Sequence, residues 1–127
     1  MTAKPIILVV EDDAFVRDIF QRSLERAGYD VLTAAHGEEA LASFRKGGIG
    51  LVVTDILMPE LDGFRLTRTL KREAPSLPVI AISVINDVSD SRALVIAAGA
   101  TLAVCKPVNP HELVKLVRQF ISPKQLQ

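Results

Sequence analysis

Short apolar runs alternate with amphipathic stretches five times along the chain. Ile6 to Val10 (IILVV) is a β-branched run of strand length. The stretch from Ala14 to Ala27 carries Val16, Ile19, Phe20 and Leu24 near helical spacing, and Gly28 ends it as a C-terminal cap would. Asp30 to Ala34 reads as a second strand, and Gly37 to Lys46 as a second helix closed by Gly47-Gly48. Leu51 to Thr54 is the third strand. The third helix, Phe64 to Glu73, has Leu66 and Leu70 one turn apart. Val79 to Ser83, Asp87 to Ala98 and Leu102 to Cys105 continue the alternation, with Gly99 ending the alanine-rich fourth helix. The last helix runs from Pro110 to about Ile121, with Asn109 as cap, Pro110 at the first position and Glu112 completing a capping box. Its buried stripe is Leu113, Leu116, Val117, Phe120 and Ile121.

Five strand–helix units with Val-, Ile- and Leu-rich strands predict an α/β fold, a parallel sheet covered on both faces. The expected form is a doubly wound, open five-stranded sheet in the order 2-1-3-4-5, the flavodoxin-like arrangement. Ligands in such sheets sit at the carboxyl ends of the strands, near the switch point.

At those ends the sequence places chemistry. Strand one runs into Glu11-Asp12-Asp13, strand three into Asp55, strand four into Ser83 and strand five into Lys106-Pro107. Strand two ends in Ala34-Ala35-His36, without a carboxylate. A lone acid such as Asp55, at the end of the buried-looking run LVVT and before Met58-Pro59, is costly unless something balances it. Neighbouring strands one and three bring several carboxylates to one rim, and carboxylates so crowded repel unless a cation sits among them. Oxygen ligands alone favour Mg²⁺ over zinc or copper. Lys106 and Ser83 add a positive charge and a hydroxyl, the groups that hold phosphoryl oxygens. Aspartate also forms acyl phosphates, which makes Asp55 a candidate nucleophile.

Composition narrows the classes. The chain has 127 residues, 49% of them apolar and 24% charged, as suits one soluble domain. The expectation is a single domain over 1–127, with a core from about 5 to 121 and a short polar tail from 122 to 127. Fifteen basic and fifteen acidic residues cancel, which gives no electrostatic footprint for nucleic acid or an anionic membrane. Pro5 to Val10 is far too short an apolar run to span a bilayer, and MTAKPIILVVEDD does not read as a secretory signal. A single cysteine, Cys105, excludes an intrachain disulfide, so the expected compartment is the cytoplasm. Cys105 reads as a small core residue, Asp13 as a helix-start residue, and His36 and His111 as structural or surface residues.

The matching segments VVEDD (9–13), VVTDILMPELDG (52–63), VIAIS (79–83), AAGA (97–100) and CKP (105–107) together resemble the receiver domain of two-component response regulators, over nearly the whole chain. The resemblance implies that Asp55 accepts a phosphoryl group from a phosphohistidine on a sensor histidine kinase or a histidine phosphotransfer protein. It implies a Mg²⁺ site of Glu11, Asp12, Asp55 and the backbone carbonyl of Leu57, with Asp12 a direct ligand and Glu11 acting mostly through water. Lys106 would pair with the phosphoryl group, Ser83 would hydrogen-bond it, and the Lys106–Pro107 peptide would be cis. The transfer would be in line, with slow self-dephosphorylation, so the domain acts on itself and is not an enzyme making a diffusing product. Output would be a shift in population that changes docking to a downstream protein, through the face of the fourth helix, fifth strand and fifth helix.

The chain departs from the family pattern at four residues and in the length of one segment. Ala103 stands where the family has Tyr or Phe, a ring that turns inward as the hydroxyl residue moves; the only tyrosine, Tyr29, lies elsewhere. Val84 replaces a usual alanine. Leu57 and Ile85 are apolar where polar side chains often manage the attacking water, which implies slow dephosphorylation. The segment INDVSDS, 85–91, is one residue longer than usual. Ala103 favours an alternative, a pseudo-receiver that binds partners without phosphorylation, whereas Asp55, Asp12 and Lys106 favour the phosphorylated switch. A phosphatase or nucleotide-binding enzyme is a third class. It lacks support, because acids occupy the place of a glycine-rich phosphate loop and Leu57 breaks a DxD pair.

Overall fold

A computed structural model describes residues 5–56, 63–83 and 91–123. The carbonyl of Leu57, the Met58-Pro59 and Asp62 turn positions, Val84, Ile85 and the rest of the loop to 90 lie outside the described residues. The elements are β1 (Ile6–Val10), α1 (Ala14–Arg26), β2 (Asp30–Ala34), α2 (Gly37–Arg45), β3 (Ile49–Asp55), α3 (Gly63–Glu73), β4 (Val79–Ser83), α4 (Ser91–Ala97), β5 (Leu102–Cys105) and α5 (Pro110–Arg118). All strands pair in parallel, in the order β2-β1-β3-β4-β5. This is the doubly wound, flavodoxin-like sheet that the sequence predicts.

Successive strand residues point to opposite faces, and here both faces are buried, which explains the unbroken apolar runs. Ile7, Val9, Leu51, Val53, Ile80 and Ile82 form one core with Phe20 and Leu24 of α1 and Leu113 and Val117 of α5. Leu8, Val10, Val52 and Val79 form the other with Ala40 of α2 and Leu66 and Leu70 of α3. A smaller third cluster, Ile56, Ala81, Val95 and Ala100, lies under α4, with Phe64 and Ala103 packed against it. Leu24 is fully buried, so truncating it to Ala would cost about 2–5 kcal/mol.

The α1 terminus is built as its sequence suggests. Gly28 has φ +101°, its N–H donates to Glu25 O (3.0 Å), and the Tyr29 N–H donates to Leu24 O (3.1 Å). That pair of bonds is a Schellman motif, which needs the left-handed residue that glycine supplies. The Tyr29 hydroxyl then donates to Ile121 O at 2.6 Å, fastening the end of the last helical segment to the α1–β2 turn.

Boundaries differ in places. β3 starts two residues before Leu51 and takes in Asp55. α5 ends as an α-helix at Arg118; beyond it, the Gln119 and Phe120 N–H groups bond three residues back, to Leu116 O and Val117 O. Phe120 is 37% exposed, so it leaves the expected stripe, whereas Ile121 packs on the core. Asn109 caps α5 by accepting from the His111 N–H (2.8 Å), but the reciprocal bond from Glu112 is not formed among the described residues. Among the described residues, no helix is long and apolar enough to cross a membrane.

Candidate functional site

The parallel register delivers the predicted rim. Val10 pairs with Thr54, so the next residues, Glu11 and Asp55, emerge side by side. Ser83 pairs with Cys105, and the Lys106 N–H donates to Ser83 O at 2.7 Å, which carries β5 one residue further along β4. The Lys106 side chain then reaches past β4: its Nζ lies 2.5 Å from Asp55 Oδ2. The Lys106–Pro107 peptide is cis.

Glu11, Asp12 and Asp55 can each offer a carboxylate oxygen within 4.8 Å of the others. Glu11 and Asp55 are buried and Asp12 is exposed. Burial raises the Glu11 pKa to about 7, and the nearby Asp12 and Asp55 push the same way. The Asp13 N–H, which donates to Glu11 Oε2 at 3.1 Å, and the charge of Lys106 oppose the rise. Lys106 shows the mirror image. Desolvation works against its charge, but the Asp55 hydrogen bond and charge, helped by Glu11 and Asp12, hold its pKa above the usual lysine value.

This donor set fits a hard divalent cation. It is all oxygen, it is small enough to leave coordination positions for water, and three carboxylates against one ammonium leave a surplus that a divalent cation would cancel. The trio opens into a cleft of about 780 Å³. Besides the trio, its lining includes Lys106 and Asp13 and an apolar set with Val16, Ile19 and Phe20 of α1 and Pro110 of α5.

Other predicted residues take the following places. Asp13 caps α1, accepting from the Phe15 N–H (2.9 Å) and Val16 N–H (3.1 Å), and is not one of the carboxylate trio. Ser83 is buried, and its hydroxyl donates to Val104 O at 3.3 Å, towards β5. Ala103 is half-buried on the third cluster. His36 caps α2, its Nδ1 accepting from the Glu39 N–H, and His111 is exposed. Cys105 is half-buried.

Sequence reasoning missed two features. One is the apolar lining of the cleft, whose residues read only as strand, helix and loop packing. The other is Arg17, whose Nη1 donates to Glu11 O at 2.8 Å. A signal for Arg17 existed: a cation near the start of a helix, where acids are favoured.

Sheet order and rim together define a flavodoxin-like α/β domain with an acidic, lysine-bearing site at the carboxyl ends of β1, β3 and β5. The chain belongs to the receiver domains of two-component response regulators: the model described as "Response regulator receiver domain" matches residues 7–118. Over 118 residues it is 40% identical to "Probable transcriptional regulator ycf27" of Porphyridium aerugineum, covering 93% of this chain and 48% of that protein. Over 120 residues it is 32% identical to "Alkaline phosphatase synthesis transcriptional regulatory protein PhoP" of Bacillus subtilis (strain 168), covering 94% of this chain and 50% of that one. The chain thus spans about half the length of these curated relatives. Among solved structures it is similar to the chemotaxis protein CheY4 of Vibrio cholerae, with a TM-score of 0.85 and 29% identity over 94% of this chain and all of that one.

Proposed function

We propose that this receiver domain is a phosphoryl-accepting switch, with Asp55 as acceptor and a phosphohistidine on a sensor kinase or histidine phosphotransfer protein as donor. The observation that carries this reading is the Lys106–Asp55 ion pair, set beside the Glu11 and Asp12 carboxylates in the lining of one cleft. A buried aspartate whose carboxylate meets the Lys106 ammonium is placed for nucleophilic attack.

Glu11, Asp12 and Asp55, together with the Leu57 carbonyl implied by the family, would hold Mg²⁺. A Mg²⁺ held there would supply positive charge to offset that developing on the phosphoryl oxygens. An Asp55 carboxylate oxygen forms the new O–P bond as the P–N bond to the donor imidazole breaks, and that bond's electron pair stays on the ring nitrogen. Lys106, already at hydrogen-bond distance from Asp55, orients the carboxylate and pairs with the incoming oxygens. The Ser83 hydroxyl exchanges its long bond to Val104 O for one to the phosphoryl group, which ties the modification to β4 and the segment that follows it. Attack by water on phosphorus later releases phosphate and restores the carboxylate. The domain therefore turns over its own modification and makes no diffusing product beyond that phosphate.

The output is a changed affinity for a protein partner, in the cytoplasm. The relatives' names attach transcription to proteins about twice this length. A link to transcription is therefore proposed only through a protein that this domain docks against or is joined to.

The test is intact-mass analysis after incubation with a small acyl phosphate and Mg²⁺. One phosphoryl group is expected, absent in Asp55→Asn and absent with chelator. No uptake from that donor or from a cognate phosphohistidine donor would overturn the reading. It would favour a second one, a docking module that works unphosphorylated, for which Ala103 speaks: it brings no ring to the cluster beside the site.

A further inference from the structure

Arg17 stands one turn into α1, where the helix dipole is positive and a cation is disfavoured. Side chains on a helix lean towards its N-terminus, so Arg17 reaches back over the cap. Its Nη1 donates to the carbonyl of Glu11 at 2.8 Å, from a half-buried position. A charge-assisted bond of that length offsets the unfavourable placement.

The bond completes a set of restraints on the β1–α1 turn. The Glu11 N–H is held by Ala34 O at 3.0 Å, its carboxylate by the Asp13 N–H, and its carbonyl by Arg17. On the far side, Asp13 is fixed by its capping bonds to Phe15 and Val16. Asp12 lies between, with an exposed side chain, so its position follows from the backbone on either side. The peptide that joins Glu11 to Asp12 is planar, and fixing its carbonyl fixes the direction of the Asp12 N–H and the path into Asp12.

We propose that Arg17 is a positioning residue for the Glu11–Asp12 pair: it holds the peptide between them so that both carboxylates stay in reach of Asp55 for a shared divalent cation. The inference rests on the metal-binding reading of the trio. It also sets a sign against simple electrostatics. By charge alone, removing a cation from the β1–α1 turn should tighten cation binding. Removing a positioning bond should loosen it, and partners that orient metal ligands typically change affinity ten- to a hundredfold.

The experiment is calorimetric titration of the whole chain with Mg²⁺ alone, on wild type, Arg17→Met, Arg17→Lys and Leu24→Val. Leu24→Val weakens the same helix's packing far from the turn. Expected is Mg²⁺ binding about tenfold weaker in Arg17→Met, partly recovered in Arg17→Lys and unchanged in Leu24→Val. The phosphorylation rate at saturating Mg²⁺ should stay within about twofold of wild type, which places the loss in binding rather than chemistry. Unchanged or tighter binding in Arg17→Met overturns the proposal. So does a loss in Leu24→Val as large as that in Arg17→Met, because the effect is then only structural. A wild-type chain that binds no Mg²⁺ overturns the metal-site reading and the Arg17 role together; failure of Arg17→Met alone leaves that reading standing.

Discussion

Lys106 and Asp55 lie 51 residues apart in the chain, yet Lys106 Nζ meets Asp55 Oδ2 at 2.5 Å. The contact spans β4, which runs between their strands. It is also unequal. The Asp55 side chain is 2% exposed and that of Lys106 is 38% exposed, so the aspartate has far less access to water as a substitute partner. A buried carboxylate that loses its ammonium has little solvent to replace it, whereas an ammonium that loses its carboxylate turns to solvent.

That asymmetry predicts the outcome of a double-mutant cycle in chelator, read by urea unfolding. Lys106→Met should destabilise the domain by about 1–2 kcal/mol, below the range for a fully buried pair because the lysine is partly solvated. Asp55→Asn should cost less, or stabilise, since it removes one of three crowded carboxylates. The double variant should recover most of the Lys106→Met loss. Additive effects would show that the pair is not coupled in solution.

Glu11 gives a pH dependence of defined sign in the metal-free protein. Its folded pKa, about 7, lies above the unfolded value of 4.5, so the folded state binds the proton more tightly. The resulting stability is fully present below pH 4.5 and is lost as pH rises through 7. Relative to Glu11→Gln, the wild type should therefore lose stability between pH 5 and 8, on the order of 1–2 kcal/mol after allowance for screening at the rim. Parallel stability curves for the two proteins across that range would sink this expectation.

The rim was legible in the sequence because topology does the assembling. In a parallel sheet every carboxyl end faces one side, so Glu11, Asp12, Asp55 and Lys106 needed only a strand order to be brought together, while Ser83 ends β4 at the same edge with its hydroxyl on Val104 O. Contacts that depend on backbone groups were not legible. The Arg17 bond goes to a carbonyl, which leaves no mark in residue type. The apolar period ran on to Ile121 past the end of α5 because it records burial: the Gln119 and Phe120 N–H groups tighten to bonds three residues back, while the Ile121 N–H still bonds four back, to Val117 O at 3.0 Å, and the side chain packs on the core. The start of β3 was hidden by Gly50, a poor strand former. Glycine is needed there because a Cβ would run into Pro5 and come within 3.2 Å of Ile121 Cδ1.

Mg²⁺ should stabilise the fold by linkage, since the trio exists only in the folded chain. At a hundred times the dissociation constant the gain is about 2.7 kcal/mol. A thermal melt with and without chelator should show it in the wild type. Asp12→Ala should abolish the gain while raising the midpoint in chelator slightly, because it relieves repulsion at an exposed position. A metal-induced shift of full size in Asp12→Ala would remove Asp12 from the site.

Gly63 ties α3 to the acceptor strand, and its substitution tests that tie. Its N–H donates to Ile56 O at 2.7 Å, and a Cβ built on it would overlap the Asp55 carbonyl and the Ile56 backbone. Those neighbours are main chain, so they cannot swing aside as a side-chain tip would. Gly47 makes the opposite case: nothing lies within 4 Å of its Cβ position, but its φ is +91°. Gly47→Ala should thus cost only conformational strain, about 1 kcal/mol, and leave the rim untouched. Gly63→Ala should cost about 2–3 kcal/mol by overpacking and, by displacing the backbone of Asp55, slow phosphorylation at a given Mg²⁺ concentration. Urea unfolding and the intact-mass assay on the two variants read both effects. Equal stability losses with unchanged phosphorylation would mean that α3 can retreat from β3 without moving Asp55.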